Sequence, residues 1–166
     1  AIGDIINQQL NRIDVAFCSL GTTIATAGSK EAFYKVDHDL VLAFAKKAME
    51  AGAKTFVLVS SVGADAQSSN FYLKVKGETE RDLQDIGFES LIILRPSMLL
   101  GHRQEFRFGE LIGKGAMSLF NPLLMGNLSK YKGIQGKTVA RCMHKLASEN
   151  LPGVHILEFQ RLLAFS

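Results

Sequence analysis

The sequence predicts an α/β protein built on a doubly wound parallel sheet, and two observations predict it. Three short runs, 13–20, 55–60 and 90–95, are apolar almost throughout instead of alternating, as strands buried on both faces are. Between them lie longer stretches whose apolar residues recur at three- and four-residue steps, the period of a helix that buries one face. Strand, helix, strand, helix, strand with fully apolar strands means βαβ units and a sheet covered on both faces. Ligands of such sheets bind outside the carboxyl ends of the strands, so a site is expected in the loops 20–23, 60–70 and 96–103.

Residues 4–11 read as the end of a short helix. Ile13-Asp14-Val15-Ala16-Phe17-Cys18-Ser19-Leu20 is a buried strand, stopped by Gly21-Thr22-Thr23. Ser29 is a cap for a helix through 31–51, where Phe33, Val36, Leu40, Val41, Phe44 and Ala48 mark the buried face and Gly52 ends the run. Strand 55–60 follows, then a loop of Gly, Ala, Asp and Ser. A helix starts near Ser69, runs to about Ile86 and is ended by Gly87. The third strand, 90–95, is cut off by Pro96. Beyond Gly101 the pattern loosens: 103–107 is polar, 109–115 reads as a short helix and turn, 138–148 as an amphipathic helix and 153–159 as a late strand.

At 166 residues, with 47% hydrophobic and 21% charged residues, the chain is one ordinary globular domain with a real core. The net charge is +3 and the 19 Lys and Arg are scattered without a run of five, so no nucleic-acid or membrane-surface footprint is expected. No apolar run is long enough to span a membrane. The two cysteines, Cys18 and Cys142, have no CxxC or metal spacing, and Cys18 reads as a small buried hydrophobe. A reducing compartment and a cytoplasmic location are expected. Ala1-Ile2-Gly3-Asp4 resembles neither a signal nor a transit peptide.

The chemistry is concentrated in three residues. Ser60 and Ser61 close the second strand, Tyr72 follows, and Lys76 stands one helical turn further on. A phenol, with an ordinary pKa of about 10, shuttles protons poorly at neutral pH. An ammonium at i+4 on the same helical face favours the phenolate and makes the phenol a usable general acid or base for an alcohol/carbonyl pair. A serine hydroxyl at the adjacent strand end can bond the same oxygen. Of the three tyrosines only Tyr72 has this partner, because Tyr34 is followed at +4 by His38 and Tyr131 by Gln135. A Tyr-x-x-x-Lys alone is a weak motif; its position after a strand ending in Ser-Ser gives it value.

The order Ser61, Tyr72, Lys76, then Arg95-Pro96-Ser97 at the next strand end, resembles the short-chain dehydrogenase/reductase superfamily. Phe17-Cys18-Ser19-Leu20-Gly21-Thr22-Thr23, Ser60-Ser61-Val62-Gly63-Ala64-Asp65, Ser69-Asn70-Phe71-Tyr72-Leu73-Lys74-Val75-Lys76-Gly77-Glu78 and Arg95-Pro96-Ser97-Met98-Leu99-Leu100 are similar to its atypical branch of Tat-interacting protein CC3-like oxidoreductases. The similarity is dense over residues 1–110. It implies a Rossmann-type domain binding NADP(H), with NAD(H) the alternative. Ser61 would polarise the substrate, Tyr72 would exchange the proton, and Lys76 would bond the ribose and tune Tyr72. Leu20, Gly21 and Thr22 would pass under the adenosine side, and Pro96, Ser97 and Met98 would meet the nicotinamide carboxamide.

The resemblance also implies a first strand, a GxxGxxG turn and a second strand, none of which the chain shows. Residues 1–166 are therefore expected to be a single Rossmann-type domain missing its first βαβ portion, with 101–166 carrying the substrate-side loops and the C-terminal helix and strand. The implied reaction is hydride transfer between a nicotinamide and a small carbonyl or alcohol substrate. The rival is a non-catalytic regulatory or protein-interaction protein on the same scaffold. A homodimer or a protein partner fits either.

Other signals are weaker. Gly133-Ile134-Gln135-Gly136-Lys137-Thr138 ends like a phosphate-binding loop, but Tyr131 stands where its first glycine belongs, so a turn before a helix is expected. The histidines His38, His102, His144 and His155 show no metal-ligand spacing, and no metal site is expected. Asp37-His38-Asp39 is expected to form a solvated helical face. No GxSxG turn surrounds Ser60 and Ser61, which argues against a hydrolase. Arg103 and Arg107 could bind a phosphate or substrate, and Phe106, Phe108 and Met117 could line a cleft.

Overall fold

The computed structural model describes residues 13–97, 99–100, 133–149 and 151–164. The expected short helix at 4–11 and the turn at 109–115 lie outside these residues, as do Met98, His102, Arg103, Phe106, Arg107, Phe108 and Met117.

Four parallel strands form one sheet in the order β1 (Val15–Cys18), β2 (Thr55–Val59), β3 (Ser90–Arg95) and β6 (Gly153–Glu158). Each crossover carries helix, as parallel pairing requires. Between β1 and β2 run α1 (Ile24–Ala27) and a long helix made of α2 (Lys30–Tyr34), a π-helical turn (Lys35–Asp39) and α3 (Leu40–Glu50). Between β2 and β3 runs α4 (Phe71–Gln84). A small parallel pair, β4 (Leu99–Leu100) with β5 (Ile134–Gln135), leads into α5 (Gly136–Ser148), and α6 (Phe159–Ala164) follows β6.

Alternate strand residues feed two cores. Ala16, Cys18, Phe56, Leu58, Leu91 and Ile93 pack against Val41, Ala45 and Ala48 of α3 and Leu83 of α4. Val57, Ile92, Leu94 and Leu157 pack on the other face against Val139, Cys142 and Leu146 of α5 and Leu162 of α6. This two-sided burial makes the central strands apolar over 56–59 and 91–94. The two edge strands depart from this: Phe17 of β1 and Val154 and Ile156 of β6 are exposed.

The expected caps form. Ser29 Oγ accepts from Ala32 N at 3.1 Å, and Gly52 and Gly87 take left-handed φ values of 95° and 86° where two helices end. The helix expected from Ser69 starts two residues later, because Asn70 Oδ1 is the cap, accepting from Leu73 N at 3.2 Å. The run 13–20 pairs only over Val15–Cys18. The loop after it holds α1, capped by Thr23 Oγ1 on Thr26 N at 3.0 Å. Phe159 begins α6 instead of ending the last strand.

Candidate active site

Three strand ends and one helix meet at the carboxyl edge of the sheet. β1 delivers Leu20, Gly21 and Thr22, β2 delivers Ser60 and Ser61, and β3 delivers Pro96 and Ser97. α4 carries Tyr72 and Lys76 one turn apart. Val62 N donates to Pro96 O at 3.0 Å, tying the second loop to the third. Asp65 N donates to Leu73 O at 3.1 Å, seating the second loop on the first turn of α4. Gly77 makes that seating possible, since a β-carbon there would stand 2.6 Å from Asp65 Cα and overlap the Ala66 amide.

The two serines part company. Ser60 Oγ donates to Glu80 Oε1, and Glu80 also accepts from Arg95 Nε at 3.1 Å and Arg95 Nη2 at 2.6 Å. Arg95 in turn lies 3.9 Å from Glu158. This network pins the ends of β2, β3 and β6 to α4 and uses up the Ser60 hydroxyl. Burial opposes the Arg95 charge, but the hydrogen bonds and charge of Glu80 outweigh it and push the guanidinium pKa up. Ser61 is buried beside it with only a long 3.3 Å contact from its Oγ to Val62 O.

Tyr72 is fixed between an apolar ring and a cation. The Phe33 ring centroid lies 5.7 Å from that of Tyr72, and Lys76 Nζ lies 6.0 Å from the Tyr72 centroid. Lys76 is only 6% exposed. Its charge is balanced by Asp37, whose Oδ1 stands 2.7 Å from Nζ. Asp37 Oδ2 accepts from Thr22 N at 2.7 Å, so one carboxylate joins the lysine to the loop after β1. The expectation of a solvated Asp37-His38-Asp39 face is corrected here: Asp37 is 1% exposed and His38 is buried, and of the three only Asp39 faces solvent. His38 lies between Asp39 Oδ1 at 2.8 Å and Asp82 Oδ2 at 2.9 Å.

Cys18, at the end of β1, is buried, and that burial pushes its thiol up while the Lys76 charge pulls the other way. No group of three or more His, Cys, Asp or Glu placed to hold a metal occurs among the described residues. Among the described residues no helix is long and apolar enough to cross a membrane.

The HIM1 family profile matches residues 4–135. "Protein fmp52, mitochondrial" of Emericella nidulans is 39% identical over 137 residues, covering 81% of this chain and 59% of that protein. "Protein HTATIP2" of Rattus norvegicus is 41% identical over 151 residues, covering 90% of this chain and 60% of that protein. The chain thus spans less than two thirds of the length of these relatives. The expected cytoplasmic location does not stand, because relatives from Emericella, Eremothecium, Candida and Debaryomyces are all named mitochondrial.

Among solved structures, RMD from Pseudomonas aeruginosa complexed with NADPH superposes with a TM-score of 0.60 at 13% identity, covering 95% of this chain and 65% of that one. MoeE5 in complex with UDP-glucose and NAD gives a TM-score of 0.63 at 12% identity, covering 93% and 62%. At such identities the likeness speaks for the fold alone, and that fold is the one the strand order already describes. The chain belongs to the HIM1 family and has a Rossmann-like α/β fold.

Proposed function

We propose that the chain is a nicotinamide-dependent oxidoreductase acting on a carbonyl/alcohol pair, with NADP(H) as its cofactor. The observation that carries this reading is the buried Lys76 ammonium 6.0 Å from the centroid of the Tyr72 ring, at the carboxyl edge of a parallel sheet. The polar groups at that edge suit the ribose and nicotinamide end of a dinucleotide: a cation, the Ser61 and Ser97 hydroxyls, and backbone groups of Leu20, Gly21, Thr22 and Pro96, the last offering its carbonyl alone. Two solved structures of the same fold are named as complexes with NADPH and with NAD, which supports a nicotinamide without choosing between the two.

When bound, the nicotinamide supplies or accepts the hydride. In reduction, Tyr72 gives its phenolic proton to the substrate oxygen and is left as a phenolate, which Lys76 stabilises. The Ser61 hydroxyl donates to the same oxygen and holds the carbonyl in place. Ser60 is excluded from that task by its bond to Glu80. Pro96 and Ser97 stand at the next strand end, and Met98 is assigned with them from the sequence. The whole chain reads as one domain, with 101–166 supplying the substrate side.

The test is a titration with NADPH and, in parallel, NADH, followed by a screen of carbonyl substrates. Saturable micromolar binding with turnover is expected, and Tyr72→Phe should lose at least about 100-fold in kcat while binding NADPH within twofold. An active Tyr72→Phe would refute the assignment. Binding without turnover would favour the regulatory scaffold instead.

A further inference from the structure

We propose that Asp37 is the positioning residue of this site, holding Lys76 and the loop after β1 in the cofactor-binding arrangement before any cofactor arrives. The inference rests on the reading of Lys76 as the ribose-facing lysine.

Three observations carry it. Asp37 places one carboxylate oxygen 2.7 Å from Lys76 Nζ and the other 2.7 Å from Thr22 N, so two residues assigned to the cofactor share one anchor. Asp37 balances the Lys76 charge and takes at most one of the ammonium's three N–H donors, which leaves the others for a second acceptor such as a ribose diol. Asp37 also sits in the π-helical turn Lys35–Asp39. Such turns are rare and concentrate at functional sites. The Asp37 carbonyl stands 3.0 Å from Thr79 Oγ1, three residues beyond Lys76 on α4, and shares that hydroxyl proton with Val75 O at 2.8 Å. The next residue, His38, reaches Asp82 on the same helix at 2.9 Å. The turn thus grips α4 by Lys76, Thr79 and Asp82.

A buried ion pair is a poor device for stability, because apolar residues of similar volume commonly do better. A pair buried at this point is better explained by what it places. With Thr22 and Lys76 already set, less ordering is lost when a dinucleotide binds.

The test is a double-mutant cycle read by NADPH fluorescence titration on the full chain, with wild type, Asp37→Asn, Lys76→Met and the double variant. Asp37→Asn should weaken NADPH binding about tenfold, and the effect should vanish in the Lys76→Met background. Asp82→Asn is the control: it loosens the same turn through His38 without touching Lys76, so it should lower thermal stability and leave NADPH affinity within twofold. Additive losses, an unchanged Asp37→Asn, or an equal loss in Asp82→Asn would overturn the inference while the proposed function stood. A wild-type chain that binds neither NADPH nor NADH would overturn the proposed function and this inference with it. Should Asp37→Asn fail to fold, the comparison of Lys76→Met with the double variant decides, since the first leaves the Asp37 carboxylate its bond from Thr22 N and the second leaves no buried charge of the pair. Equal affinities support the inference and a further threefold loss overturns it.

Discussion

Replacing Arg95 with Met is expected to destabilise the protein strongly at neutral pH and weakly in mild acid. Glu80 is 2% exposed and accepts from Ser60 and, on both oxygens, from Arg95. Methionine keeps the stem of Arg95 but donates nothing, so the buried carboxylate is left with Ser60 alone. Its escape is to take up a proton. For a carboxyl with glutamate's ordinary pKa of about 4.3, that costs about 3.7 kcal/mol at pH 7 and about 1 kcal/mol at pH 5. The first figure falls within the loss of about 3–5 kcal/mol usual for breaking a buried pair. The variant's folded state then holds a proton that its unfolded state releases at pH 7, so the deficit shrinks as pH falls toward the glutamate value. Urea denaturation of wild type and variant at the two pH values reads both numbers. The reverse change, Glu80→Gln, should cost less, because Arg95 is 21% exposed and keeps Glu158 and water as partners. A deficit below about 1 kcal/mol at pH 7, or one equal at both pH values, would refute the reasoning.

Two further outcomes are expected. Gly77→Ala gains helix propensity of about 1 kcal/mol, but its methyl meets the backbone of Asp65 and Ala66, which cannot give way as a flexible side chain would. A net loss of about 2 kcal/mol, a fall of several degrees in Tm and weaker NADPH binding should follow; a variant as stable as wild type would show that the second loop is not seated on α4. Burial pushes the Cys142 thiol up to about 11. The stability this contributes is fully present below pH 9.0, the ordinary thiol value, and lost as pH rises through about 11. Iodoacetamide should label Cys142 slowly at pH 8 in the native protein and rapidly in urea, and fast native labelling would contradict the packing of α5.

The sheet was legible because its evidence is local. Every position of 56–59 and 91–94 meets one of two cores, so the apolar runs stand out without any knowledge of the partners. Ser29, Gly52 and Gly87 act within one turn of their own helices, and their residue types suffice to predict them. What was illegible depends on distant contacts. The pair β4–β5 consists of two residues on each strand brought together across more than thirty positions of chain, and no period can be read from two residues. Phe159 has the β-propensity that favoured a strand, yet β3, the neighbour of β6, ends at Arg95, opposite Glu158. With no partner residue left in that ladder, the chain turns into α6.

The site divides along the same line. Tyr72 and Lys76 are one turn apart on a single helix, so spacing alone puts them together. Asp37 was set aside as solvated, although a signal was there: it stands four residues after Phe33 and four before Val41, on the row that those buried side chains mark as the core face. An acid on such a row is either an error in the register or a charge with a partner, and the two cannot be told apart on one helix. The partner, Lys76, lies 39 positions on and was already assigned to the ribose and to Tyr72. Both residues were therefore read singly, one as solvated and one as a tool, when burial makes each unaffordable without the other. An unexplained charge on an apolar row is best matched against the unexplained opposite charges of the elements that must pack on it. Applied to this chain, that rule pairs the acid of the first crossover helix with the lysine of the second, and it brings Asp37 into the site before any coordinate is seen.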